Sequence, residues 1–368
     1  MGRRVWIEVA LNGPWGPQIQ PAAPYETAAI IREGIACAEA GAAIVHVHAY
    51  DEASGRQRDD WEIYARIIEG IRSRVDAIVY PTIPLAGSGL GSHEPAAAAE
   101  RYRHVDELAR RGLIEWAVCD PGTVNFTRYD RMGEGDPGFV YLNPGEHIRE
   151  GLRIAAAYGV RPSYAIYEPG FTRLGAGFAN AIPGVPLPVY RFMFTDAFAW
   201  GFPPRPYGLE AHLALLAEYA PAAPWMIAGL GVDLAPIVDL AVERGGHLRA
   251  GLEDAPFGCE LGNRALVDAI VASTTRAGHE PATPADIRAA LAPQAGRTVL
   301  DLQGLKCPLP ALRTRAALLA AAPGAAFRIE CTDPLTRIDI PNLLRESGDV
   351  LEGVEERDGV VAFLIRRA

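Results

Sequence analysis

Short apolar runs alternate with longer amphipathic segments along residues 1–292. The short runs are rich in valine, isoleucine and aromatic residues, and they predict strands at residues 4–10, 43–49, 76–82, 114–119, 162–167, 189–195, 225–229 and 247–252. Alanine-rich segments with helical spacing of apolar residues lie between them, such as residues 26–40, 59–73, 95–111, 145–158, 208–219 and 233–243. Strands joined by helices predict a parallel sheet, and eight such units favour a closed (β/α)8 TIM barrel over an open sheet.

A second, smaller pattern follows the barrel region. The last helix of the barrel region begins with a capping hydroxyl from Thr283, a proline in the first turn (Pro284) and an early acidic residue (Asp286). A linker is predicted at residues 293–297. Residues 298–368 then follow the order βαβαββ, so we expect a barrel at residues 1–292 and a small two-layer α/β domain at residues 298–368.

Composition and charge exclude several classes of partner. The chain has 368 residues, of which 49% are hydrophobic, and this is ample for a buried core. Its formal net charge is −10, and it lacks a run of lysine and arginine that could follow a phosphate backbone, so neither nucleic acid nor a membrane is expected as a partner. Five scattered cysteines and no signal-peptide pattern favour a cytoplasmic protein.

The second predicted strand ends in two histidines. His46 and His48 are two residues apart, so both side chains point to the same face of the strand, towards the barrel mouth. Two neutral imidazoles on one face are good zinc ligands, and chemistry in such barrels lies at the carboxyl ends of the strands. Two hydrogen-bonded core histidines are the alternative interpretation.

A third metal ligand is predicted where the eighth strand ends. Arg249 lies in that strand, and the adjacent carboxylates Glu253 and Asp254 follow it. Adjacent side chains project in different directions, so one carboxylate could bind a metal ion while the other accepts a proton. Two histidines and a glutamate with an open fourth position form a known type of catalytic zinc site. Ordinary salt bridges in a loop are the alternative.

Single polar residues stand at the other predicted strand ends. They include Thr82, Thr123, Asn125 and Glu168, and each one alone could equally cap a helix or form a turn. For Asp120, which follows the fourth strand, a cap or turn role is the favoured interpretation.

Several motifs in order along the barrel region resemble those of the β-keto acid cleavage enzymes. They lie at residues 40–48, 121–126, 167–170, 228–231, 245–254 and 282–284. The resemblance implies a (β/α)8 fold and one zinc ion held by His46, His48 and Glu253. It further implies that Asp254 is the general base and that Arg249 and Thr82 orient it.

The same resemblance implies the reaction and the substrate-binding residues. Enzymes of this family convert a β-keto acid and acetyl-CoA into acetoacetate and a new acyl-CoA, and they commonly assemble, so a homo-oligomer is expected. Thr123 and Asn125 are expected to hydrogen-bond the substrate, and Glu168 to lie beside it. The family member that acts on an amino-substituted keto acid has an acidic residue near the position of Trp15. This chain reads Asn12-Gly13-Pro14-Trp15 there, so an apolar or differently shaped substrate tail is expected.

Two further departures from the family pattern leave alternatives open. Tyr50 replaces an arginine that often follows the histidine pair, and residues 195–202 replace a glycine-rich turn beside the thioester site. The second change motivates an alternative reaction, a metal-dependent lyase or hydrolase that does not use CoA. A third possibility is a sulfur-transfer protein whose barrel acts on a sulfur-containing metabolite.

Residues 297–368 resemble the TusA/SirA-like sulfur carriers. The segment at residues 300–310 contains Cys307 followed by Pro308, and a second motif covers residues 331–341. In such proteins this cysteine carries persulfide sulfur, so a sulfur donor protein is an expected partner at Cys307. The following helix N-terminus and Lys306 are expected to favour the thiolate. A docking or dimerisation domain with an unused cysteine is the alternative.

Overall fold

The computed structural model describes residues 2–85, 97–135, 137–291, 298–322, 324–357 and 359–368. The chain forms two compact units, residues 1–287 and residues 288–368. The linker predicted at residues 293–297 lies outside the described residues.

Eight parallel strands form the sheet of the first unit, as predicted. They are β1 (Ile7–Ala10), β2 (Ile44–Val47), β3 (Ile78–Pro81), β4 (Trp116–Val118), β5 (Arg161–Ile166), β6 (Val189–Phe194), β7 (Trp225–Gly229) and β8 (His247–Ala250). Their hydrogen-bonded order is β3-β2-β1-β8-β7-β6-β5-β4. The two end strands, β3 and β4, also contact each other, so the sheet closes into a barrel.

Helices connect the strands and cover the barrel. They are α1 (Thr27–Glu39), α2 (Trp61–Arg72), α3 (Arg103–Arg110), α4 (Gly145–Tyr158), α5 (Gly170–Ala181), α6 (Pro206–Tyr219), α7 (Ala235–Glu243) and α8 (Asn263–Arg276). A further helix, α9 (Pro284–Leu291), begins in the first unit and ends in the second. The α2 helix shows why the pattern folds this way. Asp60 caps it by accepting a hydrogen bond from the amide of Glu62 (2.9 Å), and its buried residues recur at helical spacing.

The helix predicted at residues 95–111 differs from the structure. A short helix, Ala98–Arg101, ends before Tyr102, and α3 begins at Arg103. Tyr102 departs from helical geometry with φ −96° and ψ 4°. Residues 95–96 lie outside the described part of the chain. In the parts that the structure describes, no helix has both the length and the apolar surface needed to cross a membrane.

Two small antiparallel strand pairs lie at the carboxyl end of the barrel, where they shape its mouth. One pairs Tyr50–Asp51 with Arg56–Gln57 directly after β2, and the other pairs Val124–Phe126 with Phe139–Tyr141 after β4. A further pair, Arg4–Val5 with Glu280–Pro281, is parallel.

The second unit is the predicted two-layer domain. Its strands are β9 (Thr298–Leu302), β10 (Ala326–Cys331), β11 (Val350–Arg357) and β12 (Val360–Arg366), and its helices are α10 (Leu309–Ala320) and α11 (Thr336–Ser347). The sheet order is β9-β10-β12-β11, with β9 and β10 parallel and the other pairs antiparallel. Apolar residues of both helices and of the sheet share one core, so this short segment has a hydrophobic core of its own.

Candidate metal centre and active site

Strands β2 and β8 bring three potential metal ligands together. Nε2 of His46 and Nε2 of His48 each lie 3.5 Å from Oε2 of Glu253. Potential ligand atoms of the three residues all lie within 4.8 Å of one another, and all three residues are buried. The predicted ligand set is therefore a single cluster in the structure.

The spacing of these atoms fits a tetrahedral ion. Ligand atoms about 2.0–2.1 Å from a tetrahedral zinc ion are about 3.4 Å apart, close to the observed separations. Nε2 of His48 and Oε2 of Glu253 are buried, and neither has a hydrogen-bond partner among the residues that the structure describes. Buried polar atoms without partners are costly, and a cation between them would satisfy both.

Neighbouring groups hold His48 in place. The side-chain amide of Asn12 accepts a hydrogen bond from the backbone N–H of His48 and donates one to its carbonyl, both 2.9 Å. Nδ1 of His48 lies 2.9 Å from Oε1 of Gln57. The amide nitrogen of Gln57 donates to both carboxylate oxygens of Asp59, at 3.1 and 2.9 Å, which orients its oxygen towards His48. The Nδ1 atom of His48 is then the donor, and Nε2 keeps a lone pair for a metal ion.

Burial and charge set the protonation states of the other two potential ligands, His46 and Glu253. Burial lowers the pKa of His46 well below its ordinary value, so the imidazole is neutral and can bind a metal ion. Burial acts to raise the pKa of Glu253, but the Arg249 guanidinium and the neighbouring imidazoles of His48 and His46 together outweigh it and hold that pKa well below its usual range. Glu253 therefore stays ionised.

Arg249 is the centre of a buried charge cluster. Its guanidinium lies 3.1 Å from Glu8, 3.1 Å from Glu253 and 2.7 Å from Asp254. Three carboxylates against one guanidinium leave a net charge of −2 if all are ionised. A divalent cation beside Glu253 would neutralise this charge, so the electrostatics support a metal ion of that valence.

Asp254 has the properties of a base. Its carboxylate accepts hydrogen bonds from Nε and Nη2 of Arg249 and from the backbone N–H of Gly229 (3.0 Å). Burial raises the pKa of Asp254 to about 6, against the opposing effect of Arg249. A carboxylate whose pKa is raised towards neutrality is a stronger general base than one in water.

The cavity in the barrel mouth is lined by the three potential ligands together with aromatic and polar side chains. These include Trp15, Thr82, Asp120, Phe126, Phe139, Tyr141, Tyr167 and Arg191. The indole N–H of Trp15 donates to the carbonyl of Glu253 (2.9 Å), which fixes the ring beside the ligand cluster. The Thr82 hydroxyl donates to the carbonyl of Ile83 (3.4 Å). Thr82 thus lies in the cavity, but within the described residues it makes no hydrogen bond to Asp254.

Three predicted substrate-binding residues lie elsewhere. Thr123 and Asn125 are exposed, and the Thr123 hydroxyl accepts the backbone N–H of Asn143 (2.9 Å). Glu168 is half-buried at the start of α5, where its carbonyl accepts the N–H of Phe171 (2.9 Å). None of the three is among the residues that line the cavity.

Several buried polar residues have roles that the sequence pattern did not predict. The cap or turn role favoured for Asp120 is wrong, because its carboxylate is buried and accepts hydrogen bonds from the Tyr141 hydroxyl (2.7 Å) and the Ala165 N–H (2.9 Å). Glu8 and Arg191 were not singled out. Each is a charged residue inside an otherwise apolar strand, and this pattern was the available signal for an interior partner.

In the second unit, Cys307 is exposed just before α10. Its backbone N–H donates to Asp333 (3.1 Å). The expected stabilisation of the thiolate is not found. A hydrogen bond with Asp339 is the largest cause that raises the pKa of the Cys307 thiol, and the charges of Asp339 and Asp333 add to it.

Family models match both parts of the chain. A model described as beta-keto acid cleavage enzyme matches residues 4–292, and a model described as Sulfurtransferase TusA matches residues 298–367. Both resemblances found in the sequence are therefore confirmed.

Individual proteins agree with these matches. The 3-keto-5-aminohexanoate cleavage enzyme of Fusobacterium nucleatum is 26% identical over 275 residues, which are 73% of this chain and 90% of that protein. The 3-oxoadipate:acetyl-CoA acetyltransferase of Cupriavidus necator is 27% identical over 299 residues, 77% of this chain and 93% of that protein. A putative sulfur carrier protein of Neisseria meningitidis is 37% identical over 67 residues, 18% of this chain and 90% of that protein. A structure of ObcA bound to oxaloacetate superposes with a TM-score of 0.58 at 18% identity, covering 74% of this chain and 67% of that one, and supports the barrel fold.

Proposed function

We infer the function of the barrel from its family: the chain belongs to the beta-keto acid cleavage enzymes, whose family model matches residues 4–292. The barrel is proposed to be a zinc-dependent acyltransferase that converts a β-keto acid and acetyl-CoA into acetoacetate and a new acyl-CoA. The observation that carries this proposal is the buried cluster of His46, His48 and Glu253 next to the carboxylate of Asp254.

The three ligands support zinc at this cluster. Nε2 of each histidine and Oε2 of Glu253 would hold the ion. Zinc bound there would polarise the oxygens of the keto acid and so acidify a neighbouring C–H bond. Glu8 and Arg249 would keep Glu253 and Asp254 fixed, because the guanidinium bridges all three carboxylates.

Asp254 would remove a carbon-bound proton of the keto acid. Its raised pKa of about 6 makes the ionised form a competent base near neutral pH. The resulting carbanion equivalent would attack the acetyl-CoA carbonyl and expel CoA thiolate. The thiolate would then attack the original keto carbonyl and break the bond between that carbon and the carbon that was deprotonated. Acetoacetate would leave as its carbanion and take back the proton held by Asp254, and the new acyl-CoA would remain.

The substrate tail would lie against Trp15. The indole ring forms one wall of the cavity, and Phe126, Phe139 and Tyr167 form others. These rings favour an apolar or planar tail. Since Thr123, Asn125 and Glu168 do not line the cavity in this structure, a substrate contact from any of them would require a movement on binding.

The test is mass spectrometry of the zinc-loaded protein with a panel of β-keto acids and acetyl-CoA. We expect a new acyl-CoA and acetoacetate from at least one substrate, and loss of both products in the presence of a chelator. Absence of acyl-CoA from every substrate would reject the CoA-dependent reaction and favour a CoA-independent lyase or hydrolase.

Two variants separate the metal from the base. Asp254→Asn should keep about one zinc ion per chain and lose turnover, whereas the double variant His46→Ala/His48→Ala should lose zinc. Asp268→Asn makes the same acid-to-amide change at an exposed position and should retain both properties. Turnover by Asp254→Asn would remove it as the base, and full zinc content in the double variant would remove the ligand assignment.

For the second domain we propose sulfur transfer through Cys307. Its exposed position and the match of residues 298–367 to the TusA model support this role. Incubation with a persulfide-generating cysteine desulfurase should label Cys307, and Cys307→Ser should abolish the label. A label that persists in Cys307→Ser would place the acceptor on another cysteine.

A further inference from the structure

Arg191 of β6 lies on the floor of the barrel cavity. Its Cα is paired with Ala165 of β5 on one side and Met226 of β7 on the other. The residue is only 3% exposed, yet its side chain lines the same cavity as His46, His48 and Glu253. Among the described cavity-lining residues, Arg191 is the one arginine or lysine.

The guanidinium of Arg191 has few hydrogen-bond acceptors. An arginine side chain carries five N–H donors. Within the described part of the chain, one hydrogen bond is made, from Nη2 to the carbonyl of Ser163 at 3.4 Å. The Nε atom is buried, and no described residue accepts a hydrogen bond from it. A buried cation in this state is costly, so the cavity favours an acceptor for these donors.

Asp120 supplies opposite charge but not a hydrogen bond. Its Oδ1 is 3.7 Å from Nη2 of Arg191, which is too long for a hydrogen bond. Both oxygens of Asp120 already accept hydrogen bonds, from Tyr141 and from the backbone of Ala165. Arg249 is the opposite case, because its guanidinium donates to carboxylates from Nε, Nη1 and Nη2. Of these two guanidiniums, Arg191 is therefore the one with donors left for a ligand.

We propose that Arg191 binds a carboxylate group of the substrate at the cavity floor. This rests on the proposed function in that the substrate is a keto acid. A guanidinium and a carboxylate can form two parallel charge-assisted hydrogen bonds, and such a pair would satisfy the donors that Asp120 leaves free. Two groups could supply this carboxylate. One is the carboxylate that every β-keto acid carries, and the other is a second carboxylate at the end of the tail of a dicarboxylic substrate.

Calorimetry with unreactive acids tests this without turnover. Butyrate carries one carboxylate and glutarate two, and both are titrated into zinc-loaded wild-type protein and the Arg191→Gln variant. We expect at least a tenfold loss of affinity in the variant. A loss for both acids identifies the carboxylate common to all β-keto acids, whereas a loss for glutarate alone identifies the tail carboxylate.

Further variants keep the test decisive. Arg191→Lys retains the charge without the planar fork and should bind with intermediate affinity, while Arg264→Gln changes an exposed arginine and should bind like wild type.

If Arg191→Gln does not fold, Asp120→Asn replaces it, and this variant should bind the acids more tightly because a competing negative charge is gone. The proposal is overturned if wild type binds neither acid, or if Arg191→Gln, or Asp120→Asn in its place, binds both as wild type does. Carboxylate binding without acyl-CoA formation would instead refute the proposed reaction and leave the role of Arg191 intact.

Discussion

At the residue scale, the side-chain amide of Gln57 determines which nitrogen of His48 has a lone pair available for a metal ion. Gln57 accepts from Nδ1 of His48, and Asp59 fixes the orientation of the Gln57 amide. Gln57→Met keeps a similar side-chain length but removes the acceptor. Mutation of a residue that hydrogen-bonds a metal-binding histidine commonly lowers metal affinity 10- to 100-fold. We therefore expect the zinc affinity of Gln57→Met to fall by about that factor, measured by competition with a chelating dye.

The Gln57 prediction has a spectroscopic readout as well. In wild-type protein, ¹⁵N chemical shifts of His48 should report a proton on Nδ1, and Gln57→Met should lose this preference. Gln303→Met makes the same change at an exposed site in the second domain and serves as the control. Wild-type zinc affinity in Gln57→Met would show that the amide does not position His48.

At the scale of elements, the turn after β8 decides where Glu253 lies. Gly251 has φ +132°, and a Cβ atom there would come within 2.1 Å of the Ala10 carbonyl of β1. Gly251→Ala should therefore lower the free energy of unfolding by at least about 2 kcal/mol and weaken zinc binding. Gly278→Ala also places alanine at positive φ (+80°) but meets no atom within 4 Å, so it should cost about 1 kcal/mol and leave zinc binding unchanged. Equal effects of the two variants would contradict this account.

Asp339 of α11 affects the reactivity of Cys307, which lies just before α10. The hydrogen bond with Asp339 of α11 raises the pKa of the thiol above its ordinary value of 9.0. Asp339→Asn removes this carboxylate, so the thiolate should form at lower pH, and the pH profile of alkylation at Cys307, followed by peptide mass spectrometry, should shift downwards. Glu346→Gln changes an exposed acid on the same helix and should leave the profile in place. An unshifted profile in Asp339→Asn would exclude the carboxylate as the cause.

These elements show what periodicity can predict. The pair His46 and His48 could be read from the sequence because a spacing of two residues places both side chains on one face of a strand. The roles of Gln57 and Asp339 could not, because each depends on a partner held by a different element. The lysine and helix terminus beside Cys307 are local in sequence and were anticipated, but the carboxylate whose hydrogen bond raises the pKa of the Cys307 thiol comes from α11.

At the scale of the whole molecule, burial of neutral histidines links stability to pH. His212 stacks on Phe192 (centroids 4.6 Å apart), and both of its nitrogens are buried without hydrogen-bond partners in the described part of the chain. His247 stacks on Trp6 (4.0 Å), and its Nδ1 accepts the Trp6 backbone N–H (3.0 Å). Burial lowers the pKa of each to about 3, whereas a histidine in an unfolded chain has a pKa of about 6.5.

The sign of the resulting pH dependence follows from which state takes up protons. Below pH 6.5 these histidines become protonated in the unfolded chain but stay neutral in the folded barrel. Their contribution to the free energy of unfolding is therefore fully present above about pH 6.5 and is lost as the pH falls towards 3. Each histidine should cost about 1 kcal/mol between pH 6 and pH 5. Urea unfolding at the two pH values should therefore show a smaller loss for His212→Phe than for wild type, by about that amount. Tyr190→Phe alters a buried aromatic residue of β6 without removing a group that titrates in this range, and its loss of stability should match that of wild type. An equal loss in His212→Phe and wild type would mean that the folded barrel accepts a proton at His212, which would require water or a hydrogen-bond acceptor to reach this ring as the pH falls.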